Sequence, residues 1–299
     1  MLLALVGPTA SGKTDAGIAL AESLAAEVIS VDSMLVYRGM DIGTAKPTPA
    51  QRARVPHHLI DLAEPSERFT VSRYQREARS VLSRVERPLL VGGSGLYFRA
   101  VVDDLAFPPE DPDVRKALES EVRALGATSL YARLRDLDPI AAGKIEPGNA
   151  RRTVRALEVA AATGSRFSAF ADAWERYDPD KVRAAGIEMD RAVLAARVEA
   201  RVLAMVEEGV LGEVRALLDR GFGAWLTSTQ AIGYAEFAQH LGGRLSIDEA
   251  VERTVRRTRH LARRQLAWFR RDPRIRWFAA GAEGALERVP AVRAYLGAA

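Results

Sequence analysis

The stretch Gly7-Pro8-Thr9-Ala10-Ser11-Gly12-Lys13-Thr14 limits this chain's possible folds more than any other. It has the spacing Gly-x4-Gly-Lys-Thr, follows the apolar run of residues 2–6, and leads into a helix-forming run over residues 15–24. Strand, glycine-rich turn and helix in that order make a phosphate-binding loop. Glycine lets the backbone wrap closely around an anion, and the N–H groups at the helix start point inward at it. Lys13 adds a mobile cation, and the Thr14 hydroxyl is placed to ligate Mg²⁺. The chain is therefore expected to bind a phosphate or diphosphate beyond the carboxyl ends of a parallel sheet.

Hydrophobic patterning supplies the rest of such a sheet. Strands are expected at residues 2–6, 27–31, 88–91, 186–190 and 275–278, with helices at 15–26 and 72–86. The polar segment 32–65 reads as loop with short helices. A break falls at Phe107-Pro108-Pro109-Glu110-Asp111-Pro112, and the pieces 114–125, 129–137, 139–145, 149–163 and 169–177 beyond it all read as helical. Long helices follow at 192–208, 212–220, 230–241 and 247–271. The expected organisation is α/β: a P-loop NTPase-like parallel-sheet core over residues 1–112, an all-helical insertion over 113–180, and a return strand with basic C-terminal helices over 181–299.

Composition excludes several chemistries. There is no cysteine, which removes disulfides, thiolate catalysis and cysteine zinc sites, and the four histidines show no metal-binding spacing. No apolar run could cross a bilayer, and Met1 leads straight into a strand, so a cytoplasmic protein is expected, with a monomer as the default. The net charge of +4 is modest but uneven. Arg253, Arg256, Arg257, Arg259, Arg263, Arg264, Arg270, Arg271, Arg274 and Arg276 crowd one window, with Asp272 as its one acid. A helix laced with its own salt bridges would carry acids at i±4. Arginine-rich faces of this kind suit phosphate and stacked bases. A second basic cluster, Arg151-Arg152-Thr153-Val154-Arg155, opens a helix in the insertion.

Asp32 follows the second strand and should face the bound phosphate from a neighbouring strand end. Three roles stay open on the residues alone: a general base, a Mg²⁺-holding acid of a nucleotide hydrolase, or a cap for the next turn. The long polar loop over residues 37–47 lies beside the same edge, where such loops are usually functional.

Beyond the phosphate loop, the strings Ile29-Ser30-Val31-Asp32-Ser33, Tyr37-Arg38-Gly39-Met40-Asp41-Ile42-Gly43-Thr44-Ala45-Lys46-Pro47 and Val91-Gly92-Gly93-Ser94-Gly95-Leu96-Tyr97 appear in order. So do Pro56-His57-His58-Leu59-Ile60-Asp61, Arg155-Ala156-Leu157-Glu158-Val159, Gln230-Ala231-Ile232-Gly233-Tyr234 and Arg263-Arg264-Gln265-Leu266-Ala267-Trp268-Phe269-Arg270. In these strings the chain strongly resembles the bacterial tRNA dimethylallyltransferases, the isopentenyl-tRNA (IPP) transferase family.

The resemblance implies transfer of a dimethylallyl group from dimethylallyl diphosphate to N6 of adenosine 37, 3′ of the anticodon, in tRNAs reading codons that begin with U. Diphosphate is released, and the loop holds the prenyl diphosphate instead of ATP. Asp32 is implied as base, with Lys13 and Thr14 on the leaving group and Mg²⁺ on Thr14. The target base is expected to flip into a pocket of Asp32, Ser33, Met34, Leu35 and Ser94. Arg115, Arg151, Arg152, Thr153, Val154 and Arg155 are implied to hold the anticodon arm. Gln230, Gly233, Tyr234 and Arg264 would complete the tRNA surface, and at least one of Arg197 and Arg201 would reach the diphosphate.

Ala235 departs from the family's frequent Lys or Arg and puts one tRNA contact in doubt. Ser94 stands where Thr is frequent, and no cysteine is present to form the zinc finger of eukaryotic relatives. An adenylate isopentenyltransferase acting on free AMP, ADP or ATP, a phosphate-loop nucleotide kinase and a non-catalytic RNA-binding protein are the alternatives.

Overall fold

The computed structural model describes residues 1–103, 105–170, 174–225 and 227–297. The chain forms two compact units: Met1–Asp104 with Tyr177–Ala299, and Leu105–Arg176. In chain order, β1 (Leu2–Val6), α1 (Lys13–Leu24), β2 (Glu27–Val31), α2 (Pro49–Arg54), β3 (His57–His58), α3 (Val71–Leu82), β4 (Pro88–Gly92) and α4 (Gly95–Val102) open the first unit. The second unit contains α5 (Pro112–Leu125), α6 (Ala127–Leu137), α7 (Pro139–Gly143) and α8 (Ala150–Thr163). The first unit resumes with β5 (Val182–Met189), α9 (Arg191–Glu207), α10 (Val210–Asp219), α11 (Tyr234–Leu241), α12 (Ile247–Phe269), β6 (Ile275–Ala280) and α13 (Val289–Leu296).

Among the described residues the sheet has six strands in the order β3-β2-β4-β1-β5-β6, and every pairing is parallel. Alternate strand residues enter two separate cores. Ala4, Val6, Ile29, Val31 and Leu90 lie on one side; Leu5, Val28, Leu89, Ala185 and Ile187 lie on the other. Both faces are thus covered by helices, which is why the strands read as continuous apolar runs. Register fixes the functional edge. Val6 and Val31 both pair with Gly92, so β1, β2 and β4 end at one level. No helix among the described residues is long and apolar enough to cross a membrane.

Some elements differ from expectation. β3 is only two residues long, too short for any alternation to register. α4 starts at Gly95, within glycines that read as a turn. α11 starts at Tyr234, four residues later than expected, because Gly233 at φ 98° breaks the helical path before it. Within the expected helical piece 169–177, a 3-10 turn ends at Phe170, and residues 171–173 lie outside the described residues.

The second unit begins earlier and ends earlier than the expected limits of 113 and 180. The proline-rich segment that read as a boundary is held to α8. Arg155 donates to the carbonyls of Pro108 (2.7 Å) and Pro109 (3.0 Å), and the Asp111 N–H donates to Glu158 (2.8 Å). Phe107 packs edge-on against Trp174 within the same unit. Tyr177 belongs to the first unit instead, under the guanidinium groups of Arg99 (4.3 Å) and Arg274 (5.3 Å). Arg274 is buried and donates to both oxygens of Asp103 (2.6 and 3.1 Å), to both of Asp272 (2.9 and 2.7 Å), and to the Asp178 carbonyl (3.3 Å). One side chain therefore fastens residues at both roots of the insertion.

Glu158 is the matching polar centre of the helical unit. Its carboxylate is fully buried and takes the Arg115 fork (3.1 and 2.6 Å), Arg155 (3.1 Å) and the Asp111 N–H. Burial alone would raise this carboxyl, but the Arg115, Asp111 and Arg155 donors outweigh it and hold it below its ordinary range. A depressed value stabilises the folded state above the ordinary carboxylate range, and that stability is lost as pH falls through the depressed value. Glu158→Ala should strand the two arginines and cost about 3–5 kcal/mol in denaturant unfolding at neutral pH, with a smaller loss in acid.

Candidate active site

The phosphate loop leaves β1 at Gly7 and enters α1 through Gly12, whose φ of 81° is left-handed. A side chain at Gly12 would also meet the Ala285 backbone and the Arg197 guanidinium. The loop is braced from behind. Arg197 on α9 donates to the Ala10 carbonyl (2.8 Å) and the Ala282 carbonyl (2.7 Å), while the Ala285 N–H donates to Ser11 O (2.8 Å). Lys13 Nζ donates to the Pro8 carbonyl and to Ser11 Oγ (3.4 Å).

One helical turn beyond Arg197, Arg201 donates to Thr9 Oγ1 (3.2 Å) and to the Thr44 carbonyl (3.4 Å). Burial, then repulsion from Arg201, pushes the Lys13 ammonium down to about 7, with Asp32 pulling the other way. Burial likewise lowers Arg201, against the attraction of Asp32 and Glu208.

Asp32 stands at the end of β2. Its Oδ1 accepts the Met34 N–H at 2.8 Å, and its second oxygen has no hydrogen-bond partner among the described residues. The turn-capping reading and a chemical role are thus compatible, since one oxygen caps and the other remains.

These groups share a cavity of about 1150 Å³. Thr9 to Asp15, Asp32, Arg197 and Arg201 form its charged part. Leu35, Ile42, Ala45, Ile60, Ala200, Ala204 and Met205 give it apolar lining. A site of this kind can hold a charged head together with an apolar tail.

Other sequence-derived candidates fall in several places. Leu35 lines the cavity, whereas Ser33, Met34 and Ser94 are half-buried and outside its lining. Gln230 and Arg264 are exposed, but Gly233 and Tyr234 are buried. Tyr234 is turned into the fold: its hydroxyl donates to Glu213 Oε1 (2.6 Å) and its ring fills the space beside Gly43. In the helical unit Arg151 and Arg152 are exposed, while Thr153 and Val154 belong to its interior. Arg115 and Arg155 are engaged by Glu158.

The arginine run on and after α12 also finds more acids than its own sequence offers. Arg257 pairs with Glu236, Arg259 with Glu199 (2.8 Å) and Arg270 with Glu188 (3.2 Å). Arg263 and Arg264 are exposed and have no acidic partner among the described residues.

Three residues at the site escaped the sequence reading. Gln265 on α12 accepts the Thr9 N–H (2.8 Å), and a side chain at Gly93 would collide with its amide. Lys46 is buried and reaches the Tyr37 carbonyl, Asp41 and Asp61 at 2.6 Å each, closing the loop over residues 37–47. Glu213 binds that loop from α10. The strings containing Gln265 and Lys46 signalled importance without direction; Glu213 carried no signal.

The fold and the cavity define a phosphate-loop protein whose site sets charged groups beside an apolar lining. The sequence model described as IPP transferase matches residues 35–272, and that described as Isopentenyl transferase matches residues 1–60. A tRNA dimethylallyltransferase of Kineococcus radiotolerans is 49% identical, covering 93% of this chain and 90% of its own length. That of Pseudarthrobacter chlorophenolicus is 47% identical, covering 92% of each. The crystal structure of the tRNA isopentenylpyrophosphate transferase from Bacillus halodurans is 40% identical, with a TM-score of 0.71 over 99% of this chain and 95% of that one. A eukaryotic dimethylallyltransferase acting on tRNA, 24% identical, shares the fold with a TM-score of 0.80 over 98% of this chain and 77% of its own. The chain belongs to the IPP transferase family, and is an enzyme that transfers prenyl groups.

The Lys13 value makes anion binding pH-dependent. A bound anion raises the value, so binding above pH 7 takes up a proton and weakens by up to about tenfold per pH unit. Calorimetry with inorganic diphosphate from pH 6 to 9 should show this slope in the parent. In Lys13→Arg it should be shallower, because arginine stays charged.

Proposed function

We propose that this enzyme transfers the dimethylallyl group of dimethylallyl diphosphate to N6 of adenosine 37 of tRNA, 3′ of the anticodon, in tRNAs reading codons that begin with U. One observation carries the reading: a single cavity joins the phosphate loop, Lys13 and Arg201 to the Asp32 carboxylate and to an apolar lining. The loop N–H groups, Lys13 and Arg201 suit the diphosphate, whose negative charge grows as the allylic C–O bond breaks. The apolar residues suit the five-carbon tail. Asp32 takes the N6 proton as the amine bonds to the allylic carbon, which an otherwise weak nucleophile requires.

Among the described residues no cluster of three or more His, Asp or Glu could hold a metal by itself. That fits a Mg²⁺ held chiefly by ligand oxygens and water, with the Thr14 hydroxyl as the chain's own donor. When bound, the ion would supply further charge neutralisation on the leaving diphosphate. The reading takes the enzyme as a monomer, and tRNA as substrate agrees with a cytoplasmic location.

Incubation with dimethylallyl diphosphate, Mg²⁺ and unmodified tRNA, followed by nucleoside mass analysis, tests the reading. Prenylated adenosine from tRNA is expected, and equal prenylation of free AMP would favour the nucleotide-directed alternative. Asp32→Asn should lower turnover by about 10²–10⁴-fold while leaving tRNA affinity within a few-fold, and unchanged turnover would remove Asp32 as base.

Exposed and, among the described residues, unpaired with any acid, Arg264 fits a phosphate contact. Arg264→Ala should weaken tRNA binding and flatten its salt dependence by about one phosphate contact. Arg152→Ala, on the helical unit, should do the same, and slopes equal to the parent's would exclude that role for either.

A further inference from the structure

The carboxylate of Glu213 is fully occupied by one short loop and by Tyr234. Its Oε2 accepts the N–H groups of Asp41 and Ile42, both at 2.8 Å. Its Oε1 accepts the Gly43 N–H (3.1 Å) and the Tyr234 hydroxyl (2.6 Å). Three successive backbone N–H groups converging on an anion form a concave nest, a feature that ordinarily receives a ligand. Here the anion is internal. Tyr234 backs the same turn: it is buried, and an added carbon on Gly43 would lie 2.6 Å from its ring.

The turn held in this way leads directly to the cavity. Thr44 follows Gly43, and its carbonyl accepts Arg201 Nη2 (3.4 Å), one of the two anchors that aim Arg201. The other anchor is Thr9 of the phosphate loop. Arg201 lies half-buried beside Lys13 without an acidic partner in direct hydrogen-bond contact among the described residues, so its position depends on neutral acceptors such as Thr44. A guanidinium repelled by a neighbouring ammonium moves unless those acceptors are themselves rigid.

We infer that Glu213, with Tyr234, is a positioning residue that acts through the 41–44 turn to hold Arg201 in the diphosphate site. This rests on the reading of the cavity given above. Glu213 touches no substrate in this account. Its effect falls on the affinity for the anionic head, not on proton transfer at Asp32 or on tRNA binding.

A double-mutant cycle on the full-length chain tests this, read by calorimetric binding of inorganic diphosphate and by KM and kcat for dimethylallyl diphosphate. Glu213→Gln leaves too few acceptors for four donors and should weaken diphosphate binding about tenfold, raising KM more than it lowers kcat. Tyr234→Phe removes one donor only and should produce a smaller change of the same kind. Arg201→Lys keeps the charge but loses the fork. In its background Glu213→Gln should have little further effect, while tRNA affinity stays at the parent value throughout.

Independent losses in the two single variants, multiplying in the double variant of a parent that binds diphosphate, would overturn the inference alone. So would a Glu213→Gln chain that melts earlier yet binds diphosphate as the parent does. A parent that binds no diphosphate would overturn the reading of the cavity, and this inference with it.

Discussion

Two half-buried cations held side by side dominate this molecule. Lys13 and Arg201 repel each other and lose hydration, and the fold offers them mostly neutral acceptors: Pro8 O and Ser11 Oγ for Lys13, Thr9 Oγ1 and Thr44 O for Arg201. Left to themselves such groups would separate or deprotonate, and Lys13 has moved far toward the latter. Keeping them in place is the task of everything around them. Arg197 and the Ala285 N–H stiffen the loop from behind, Gln265 holds Thr9 from the side, and the turn over residues 41–44 holds Arg201 from above α9. An anion entering the site would offset this repulsion, as the proposed role in holding a leaving diphosphate requires.

The sheet makes that arrangement possible. Because β1, β2 and β4 end level with one another, the loop after β1, the carboxylate after β2 and the glycines after β4 share a single edge. Asp32 gains its place from this register and not from any neighbour in sequence. Its turn-capping bond to Met34 adds precision, since it leaves only one oxygen free to act.

The core strands and the phosphate loop were legible because each depends on local order: an apolar run, then glycines, then a lysine. Asp32 was legible as a strand-end carboxylate, though its role stayed open. The supporting shell was not. Gln265 and Thr9 are 256 positions apart, and no local pattern announces such a bond. Glu213 sits on an amphipathic helix where one acid resembles any other. Motif strings also hide direction. Tyr234 and Thr153 fell inside strings assigned to an RNA surface, yet both are buried, and the helical spacing of Thr153, Val154 and Leu157 marks an inward stripe. Glu158 lies three positions beyond Arg155 on α8, within reach of helical spacing, whereas Arg115 is 43 positions away and only folding brings it to the same carboxylate.

Arg274 gives the architecture a further property. Because one guanidinium ties Asp103 to Asp272 and Asp178 while Tyr177 lies under it, the point of departure and the point of return are stitched together inside the sheet-bearing unit. The helical module is thereby inserted between residues that are already joined, so a change in its length need not unravel the part that does the chemistry.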